Sequence, residues 1–270
     1  MVKFKGIYAP VITPYYENDS IDTKSFGELI EFLIESRIDG IVVAGTTGEY
    51  YAQTINERKD LMTAAAQYIN NRLPLIVGVG AIRTEESIEL AIHAKLIGAT
   101  ALLVNSPPYA LPTETENATH ALAIDKEVNL PIMLYNYPGR TGVSMGKDYL
   151  TQISKSKNIC AIKESSGDIS RLHLLATEFP EIQTSCGADD QALEFFAWGA
   201  QSWVCAGANF APEAHVLLYE TCVQNGDLFK GRKIMSAMLP LMTLLERGGK
   251  FGQSIKYATS LRGFSTGLPR

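Results

Sequence analysis

The sequence predicts an α/β fold, a (β/α)8 TIM barrel with a C-terminal helical appendage. Three observations carry that expectation. Eight short apolar runs alternate with amphipathic, helix-patterned stretches up to residue 207. The runs are continuous rather than strictly alternating, the mark of parallel strands covered on both faces. TPYYENDS follows the first run where a doubly wound nucleotide-binding sheet would carry G-x-G-x-x-G, so the open sheet ranks second.

Strands are expected at GIYAPVIT (6–13), GIVVAG (40–45), LPLIVGVG (73–80), TALLVN (100–105), LPIMLYN (130–136), ICAIKE (159–164), EIQTSCG (181–187) and SWVCAG (202–207). Between them, TKSFGELIEFLIESR (23–37) opens with a Thr or Ser cap. TINERKDLMTAAAQYIN (54–70) has Thr54 with Glu57 three residues on, a capping box. TEESIELAIHAKLIG (84–98) takes Thr84 as its cap. Ser87 leaves its box incomplete, Glu85 and Glu86 put negative charge in the first turn, and Gly98 ends it. Further helices are expected at 114–125, 146–154, 168–178 and 189–197. Three more helical segments lie within 212–225, 227–246 and 251–262, with no linker before them. The expected division is a catalytic barrel over 1–211 and an appendage packed on it over 212–270.

Composition narrows the function classes. The chain has 270 residues, 46% hydrophobic and 20% charged, with a formal charge of −5 spread without basic blocks. Nucleic acid and acidic membranes are therefore not expected partners. No apolar run approaches the roughly 18 residues that span a bilayer, and a cytoplasmic protein is expected. Cys160, Cys186, Cys205 and Cys222 form no C-x-x-C pair and read as reduced, buried small hydrophobes. His93, His120, His173 and His215 are dispersed over helical segments, so no metal site is expected.

In a barrel the chemistry sits where strands end and βα loops begin, and the unusual motifs fall there: GTTGEYY (45–51), NSPPYALP (105–112), YNYPGRTG (135–142), CGADD (186–190) and GANFAP (207–212). Lys163 closes the sixth strand. Period-two alternation puts Ile159, Ala161 and Lys163 on one face and Cys160, Ile162 and Glu164 on the other. If the first face is interior, the amine is dry, its pKa falls, and it can attack a ketone to form a Schiff base. Taken alone, the strand fits a lysine that reaches out to water better. Tyr135 ends the neighbouring strand and can shuttle the protons that imine formation needs; alone, it reads as a core aromatic. Thr46 and Thr47, between Gly45 and Gly48, can converge on a small carboxylate, or make a plain turn. Arg140 can hold a carboxylate bidentately from the rim, or be a solvated surface arginine. Glu164 is assigned to the helix layer.

GTTGE (45–49), YNYPGRTG (135–142) and IKESSGD (162–168) occur in this order and at these intervals. Together they resemble the pyruvate-dependent class I aldolases of the dihydrodipicolinate synthase and N-acetylneuraminate lyase family, over nearly the whole chain. The resemblance implies a (β/α)8 barrel with a helical appendage, agreeing with the strand count. It implies that Lys163 forms the imine with pyruvate, that Tyr135 and Thr47 relay protons, and that Thr46 with Thr47 holds the pyruvate carboxylate. Tyr109 matches a relay tyrosine lent by a neighbouring subunit, which implies a homo-oligomer, in this family a dimer of dimers. Arg140 matches the arginine that binds the incoming aldehyde's carboxylate in the synthase branch. Gly187 and Val204 match residues lining the pyruvate pocket. The cofactor implied is none, since the imine replaces a metal.

The chain departs from that pattern in places. Pro108-Tyr109 stands where two tyrosines are common, Tyr50 and Tyr51 follow GTTGE where small residues are usual, and Trp198, Trp203 and Cys205 replace lighter residues. The resemblance also implies a further turn or two beyond SLRGFSTGLPR. In regulated relatives it places a lysine pocket at Tyr50, Tyr51, Ile55, Arg58, Ile82, Glu86 and Pro108. Here that pocket is bulky or apolar, so feedback by lysine is expected to be weak. The expected function is condensation of pyruvate with an aldehyde, foremost L-aspartate semialdehyde, giving 4-hydroxy-tetrahydrodipicolinate. A 2-oxo-3-deoxy sugar acid aldolase or dehydratase is the alternative within the family. A non-catalytic barrel binding 2-oxo acids is the alternative outside it.

Overall fold

The structure, a computed structural model, describes residues 3–270. Among them eight parallel strands close into a barrel in chain order: β1 (Gly6–Pro10), β2 (Gly40–Val43), β3 (Leu75–Gly78), β4 (Ala101–Asn105), β5 (Ile132–Asn136), β6 (Ile159–Glu164), β7 (Gln183–Cys186) and β8 (Ser202–Val204). Each expected apolar run contains a strand. Most are shorter than the run, because the residues past a strand's end leave the ladder to build the mouth. Ile12, for example, gives its N–H to the Asn209 side chain at 3.1 Å.

Continuous apolar runs are required because each strand faces two cores. Tyr8, Val42, Ile76, Leu103, Met133 and Val204 fill the barrel interior. Ile7, Ile41, Val77, Val104, Leu134 and Ile162 face the helix layer. Strict alternation fails on β6. Ile132 pairs with Ile159 but Met133 pairs with Ala161, a register shift that inserts Cys160 as an extra residue. Cys160 and Ala161 therefore both join the interior, and Ile159 packs outward. The expected face of Ile159, Ala161 and Lys163 is corrected at Ile159. Beyond the shift the parity suits Lys163, which pairs with Tyr135.

The outer layer is α1 (Thr23–Glu35), α2 (Ile55–Ile69), α3 (Thr84–Leu96), α4 (Glu114–Val128), the one-turn α5 (Pro138–Thr141), α6 (Lys147–Ile153), α7 (Ser170–Glu178) and α8 (Ala192–Ala197). Thr54 and Glu57 make the expected capping box of α2, and Thr113 with Glu116 makes another on α4. Two expected caps are corrected. Asp22, not a Thr or Ser, caps α1 through the Ser25 N–H at 3.0 Å. Thr84 is the first residue of α3 rather than its cap, and its hydroxyl lies 2.9 Å from Nδ1 of the buried His120 on α4. A tertiary bond has taken the hydroxyl that local pattern assigned to the helix end.

After β8 come α9 (Pro212–Tyr219), a π-helical turn (Glu220–Gln224), α10 (Leu228–Arg247) and α11 (Phe251–Ser260). They are fastened across the barrel rather than merely appended. Lys256 of α11 lies 2.6 Å from Glu49 of the GTTGE turn, with both side chains almost completely buried. Arg247 of α10 bonds Asp190 after β7 at 2.9 and 3.1 Å. No helix among the described residues is long and apolar enough to cross a membrane.

Candidate active site

Lys163 ends on the interior side of β6 and is only 6% exposed. Its Nζ lies 4.1 Å from the centroid of the Tyr135 ring, its partner in register on β5. Burial lowers the pKa of this amine, against the opposing charges of Asp189 and Glu246. A free amine is therefore present at lower pH than an exposed lysine would allow, which is what nucleophilic attack on a ketone needs. The Tyr135 hydroxyl is shifted upward by burial, partly offset by hydrogen bonds with Thr46 and Ser165. It stays a phenol that can give a proton and take it back along these hydroxyls.

Thr46–Gly48 forms a single 3₁₀ turn after β2, with Thr47 buried and Thr46 bonded to Tyr135. The sharp bend is not made by glycine torsions, as the motif suggests. The left-handed residues are Ala44 (φ 55°) and Glu49 (φ 59°), which flank it. Such torsions are costly for residues with a Cβ and persist only where the surroundings enforce them. Here the enforcement is visible. Gly48 O accepts from Thr13 Oγ1 at 2.7 Å and from Gln53 Nε2 at 2.9 Å, while Glu49 is held by Lys256. Gly48 itself is needed for space, because a Cβ there would meet Val11 O at 3.0 Å.

Gly187 follows β7 for a related reason. A Cβ on it would lie 2.7 Å from Lys163 Cγ and 2.1 Å from Ser165 Oγ, so any side chain would displace the lysine. Val204 closes the interior beside β1. On the rim, the Tyr137 ring lies 5.7 Å from that of Tyr135, and the exposed Arg140 guanidinium lies 5.9 Å from Tyr137. The buried amine, the two phenols and an exposed cation on the rim thus follow one another at spacings of 4.1, 5.7 and 5.9 Å. Tyr109 stands apart from this group. It is 90% exposed, at the apex of a three-residue γ-turn closed by Ala110 N–H to Pro108 O at 2.8 Å, with φ at 69°.

Some of the arrangement escaped the motifs. Glu164 does serve the helix layer, but it also locks two motifs together. It accepts both Asn136 contacts (3.0 and 2.8 Å), the Ser166 N–H and Arg171 Nε (3.3 Å). Asp189 is buried and doubly occupied, by Trp203 Nε1 at 2.9 Å and Gly207 N–H at 3.0 Å. Trp203, unusual by comparison with the resemblance, is thereby an anchor for the loop after β7. Glu246, at the end of α10, accepts the Asp189 N–H at 3.0 Å and acts on both Lys163 and Tyr135. Only its acidity beside Arg247 marks it in the sequence. Arg58 is buried, gives its guanidinium to Gly78 O and Gly80 O, and sits 5.0 Å from the Tyr50 ring. A different, apolar depression lies among Phe4, Leu172, Ile182 and Trp198, away from these groups and without a titratable side chain in its lining. Among the described residues no three His, Cys, Asp or Glu side chains gather as a ligand set.

Residues 3–270 match the family model described as the dihydrodipicolinate synthetase family. A 4-hydroxy-tetrahydrodipicolinate synthase of an Exiguobacterium species is 35% identical over 272 residues, covering 99% of this chain and 91% of the relative. A crystal structure of a dihydrodipicolinate synthase superimposes with a TM-score of 0.94 at 32% identity, covering 99% of this chain and 92% of that one. A prophage protein of the same family from E. coli K12, solved in complex with pyruvate, superimposes with a TM-score of 0.92 at 28% identity, with 99% and 92% covered.

Proposed function

The chain belongs to the dihydrodipicolinate synthetase family, a family of pyruvate-dependent lyases, and from that premise we propose that it condenses pyruvate with L-aspartate semialdehyde to give 4-hydroxy-tetrahydrodipicolinate. The relatives named as that synthase support the reading. The observation that carries it is the path from Lys163 through Tyr135 and Tyr137 to Arg140, which provides for a carboxylate beyond the reacting carbon.

In this mechanism the Lys163 amine attacks the pyruvate ketone, and loss of water leaves an iminium. The positive nitrogen accepts the electrons left when the methyl group loses a proton, the service a metal gives in other aldolases. The enamine carbon then bonds to the aldehyde carbon, whose oxygen takes a proton, and the iminium re-forms; the adduct's own amine attacks that iminium carbon and the Lys163 amine leaves, which closes the ring and frees the enzyme. Tyr135, with Thr47, carries protons into and out of these steps, and Thr46 and Thr47 hold the pyruvate carboxylate. Gly187 and Val204 shape the pyruvate pocket. Tyr109, turned outward on its strained γ-turn, completes the relay in a second copy, so the working unit is at least a dimer, in a dimer of dimers.

Arg140→Ala tests the aldehyde. It should lower kcat/KM for the carboxylate-bearing aldehyde roughly 10- to 100-fold, the size of one hydrogen bond to a charged group. Imine formation with pyruvate should be nearly unchanged. Arg140→Lys should restore part of the loss, since an ammonium cannot copy the guanidinium fork. Equal effects on charged and neutral aldehydes would point instead to the sugar-acid branch of the family.

Lysine should alter the rate very little. Burial lowers the pKa of Arg58 to about 10, yet it stays cationic at neutral pH. It occupies the expected effector pocket, with Tyr51 and Ile82 exposed nearby. An incoming ammonium would meet a like charge and little compensation. Steady-state rates in the presence of millimolar lysine check this, and strong partial inhibition would refute it.

A further inference from the structure

We propose that Arg270 is a positioning residue for pyruvate: its guanidinium ties the loops after β1 and β2 to the first turn of α2, and so fixes the Thr46–Gly48 turn in the shape that receives the pyruvate carboxylate. The inference rests on the reading of the site given above. It adds a residue that works through the turn rather than on the substrate.

The turn needs outside support. Thr46–Gly48 lies past the end of β2, and the residues flanking it, Ala44 and Glu49, are both held at positive φ. Torsions of that kind relax when what enforces them is removed. Part of the enforcement comes from the segment after α11. It runs beside Tyr15, whose N–H bonds Thr266 O at 3.2 Å. Gly267, at φ 64°, passes so close that a Cβ there would meet Tyr15 O at 2.1 Å. Leu268 O accepts from Lys256 Nζ at 3.2 Å, while the Leu268 side chain is exposed. Apolar packing of Leu268 therefore does not set the course of the segment; its polar contacts do.

Arg270 then reaches three separate pieces of the mouth. Its backbone N–H bonds Glu49 Oε2 at 2.9 Å, and Lys256 Nζ lies 2.6 Å from Glu49 Oε1. Its guanidinium donates to Ala52 O at 3.1 Å and to Asp19 O, and pairs with Glu57 Oε1 at 2.6 Å. Glu57 closes the capping box of α2 with its other oxygen. The Arg270 pairing holds the Glu57 carboxyl down at about 2, so this contact stays charged across the neutral range. The guanidinium also lies 4.3 Å from the centre of the Tyr15 ring, a cation–π distance. Tyr15 OH accepts from Gln53 Nε2 at 2.9 Å, and the same nitrogen donates to Gly48 O at 2.9 Å. Two routes thus run from Arg270 to the turn. One passes directly through Glu49, the other through Tyr15 and Gln53 to Gly48. A planar fork serves a carboxylate and two carbonyls at once, which a single ammonium does not.

The test is borohydride trapping with pyruvate alone, which needs no aldehyde. Arg270→Ala removes the guanidinium and keeps the backbone N–H on Glu49. Gly267→Ala displaces the segment itself. In both, the pyruvate concentration for half-maximal trapping should rise roughly 10-fold, the size of one weakened hydrogen bond to a carboxylate. The limiting rate at high pyruvate should stay within about threefold of wild type, as expected when only ground-state binding is lost. Arg270→Lys should fall between the wild type and Arg270→Ala. The Tm of each variant is measured beside the trapping curve. Half-saturation within about twofold of wild type in both variants, or a change confined to Tm and the folded fraction, would make Arg270 a tie for the fold alone and overturn the inference. Either result leaves the proposed function standing. A wild type that traps no pyruvate would instead remove the proposed function, and this inference with it.

Discussion

Lys163→Ala and Lys163→Met should lose all borohydride-trappable pyruvate and lower turnover by at least about 10³-fold, as removal of a covalent nucleophile does. Lys163→Arg should be equally inactive, because a guanidinium does not give up its proton near neutrality. The stability of the methionine variant is the sharper measurement. The folded barrel disfavours the ammonium, since burial lowers the Lys163 pKa below that of an exposed lysine. At neutral pH the wild type bears that cost and an isosteric methionine does not, so Lys163→Met should melt at or above the wild-type Tm. A structural lysine would behave in the opposite way, with lost stability and retained trapping. Labelling that survives in Lys163→Met would place the imine on another residue.

The second large effect is on stability. Lys256→Met leaves Glu49 as an uncompensated charge where the pair is now 2.6 Å apart and nearly unexposed. Breaking one side of a buried pair costs about 3–5 kcal/mol, a fall in Tm on the order of 10 °C for a chain of this size. The double variant Glu49→Leu with Lys256→Met should recover much of that loss, because two apolar groups need no partner. It should not recover activity. Glu49 is the left-handed residue that ends the Thr46–Gly48 turn, so a relaxed turn should raise the KM for pyruvate in both variants. Unchanged KM in the double variant would show that the turn keeps its shape without the tether.

The barrel was legible because each strand carries its own signature. A strand buried on two faces must be apolar throughout, and the eight runs from GIYAPVIT to SWVCAG show this without reference to their neighbours. The capping box at Thr54 and Glu57 was legible for the same reason, as donor and acceptor lie within one turn. Thr84 shows the limit of such reasoning. Its hydroxyl has a local use, and a histidine on the next helix competes for it and wins.

The site divides along the same line. Lys163 was conspicuous as a charge in an apolar strand, and Tyr135, Arg140 and the two threonines stood at strand ends where a barrel keeps its chemistry. The sequence by itself determined the barrel, the family and this set of candidates, because those properties reside in short segments. Which way β6 faces depended on an extra residue, Cys160, visible only in the pairing of β5 with β6. Only the tertiary structure brought Lys256 to Glu49, Trp203 to Asp189 and Glu246 to the Asp189 N–H. These are contacts between charged or polar groups far apart in the chain. No periodicity records them, since their cost and their reward arise only when folding removes water from both partners together.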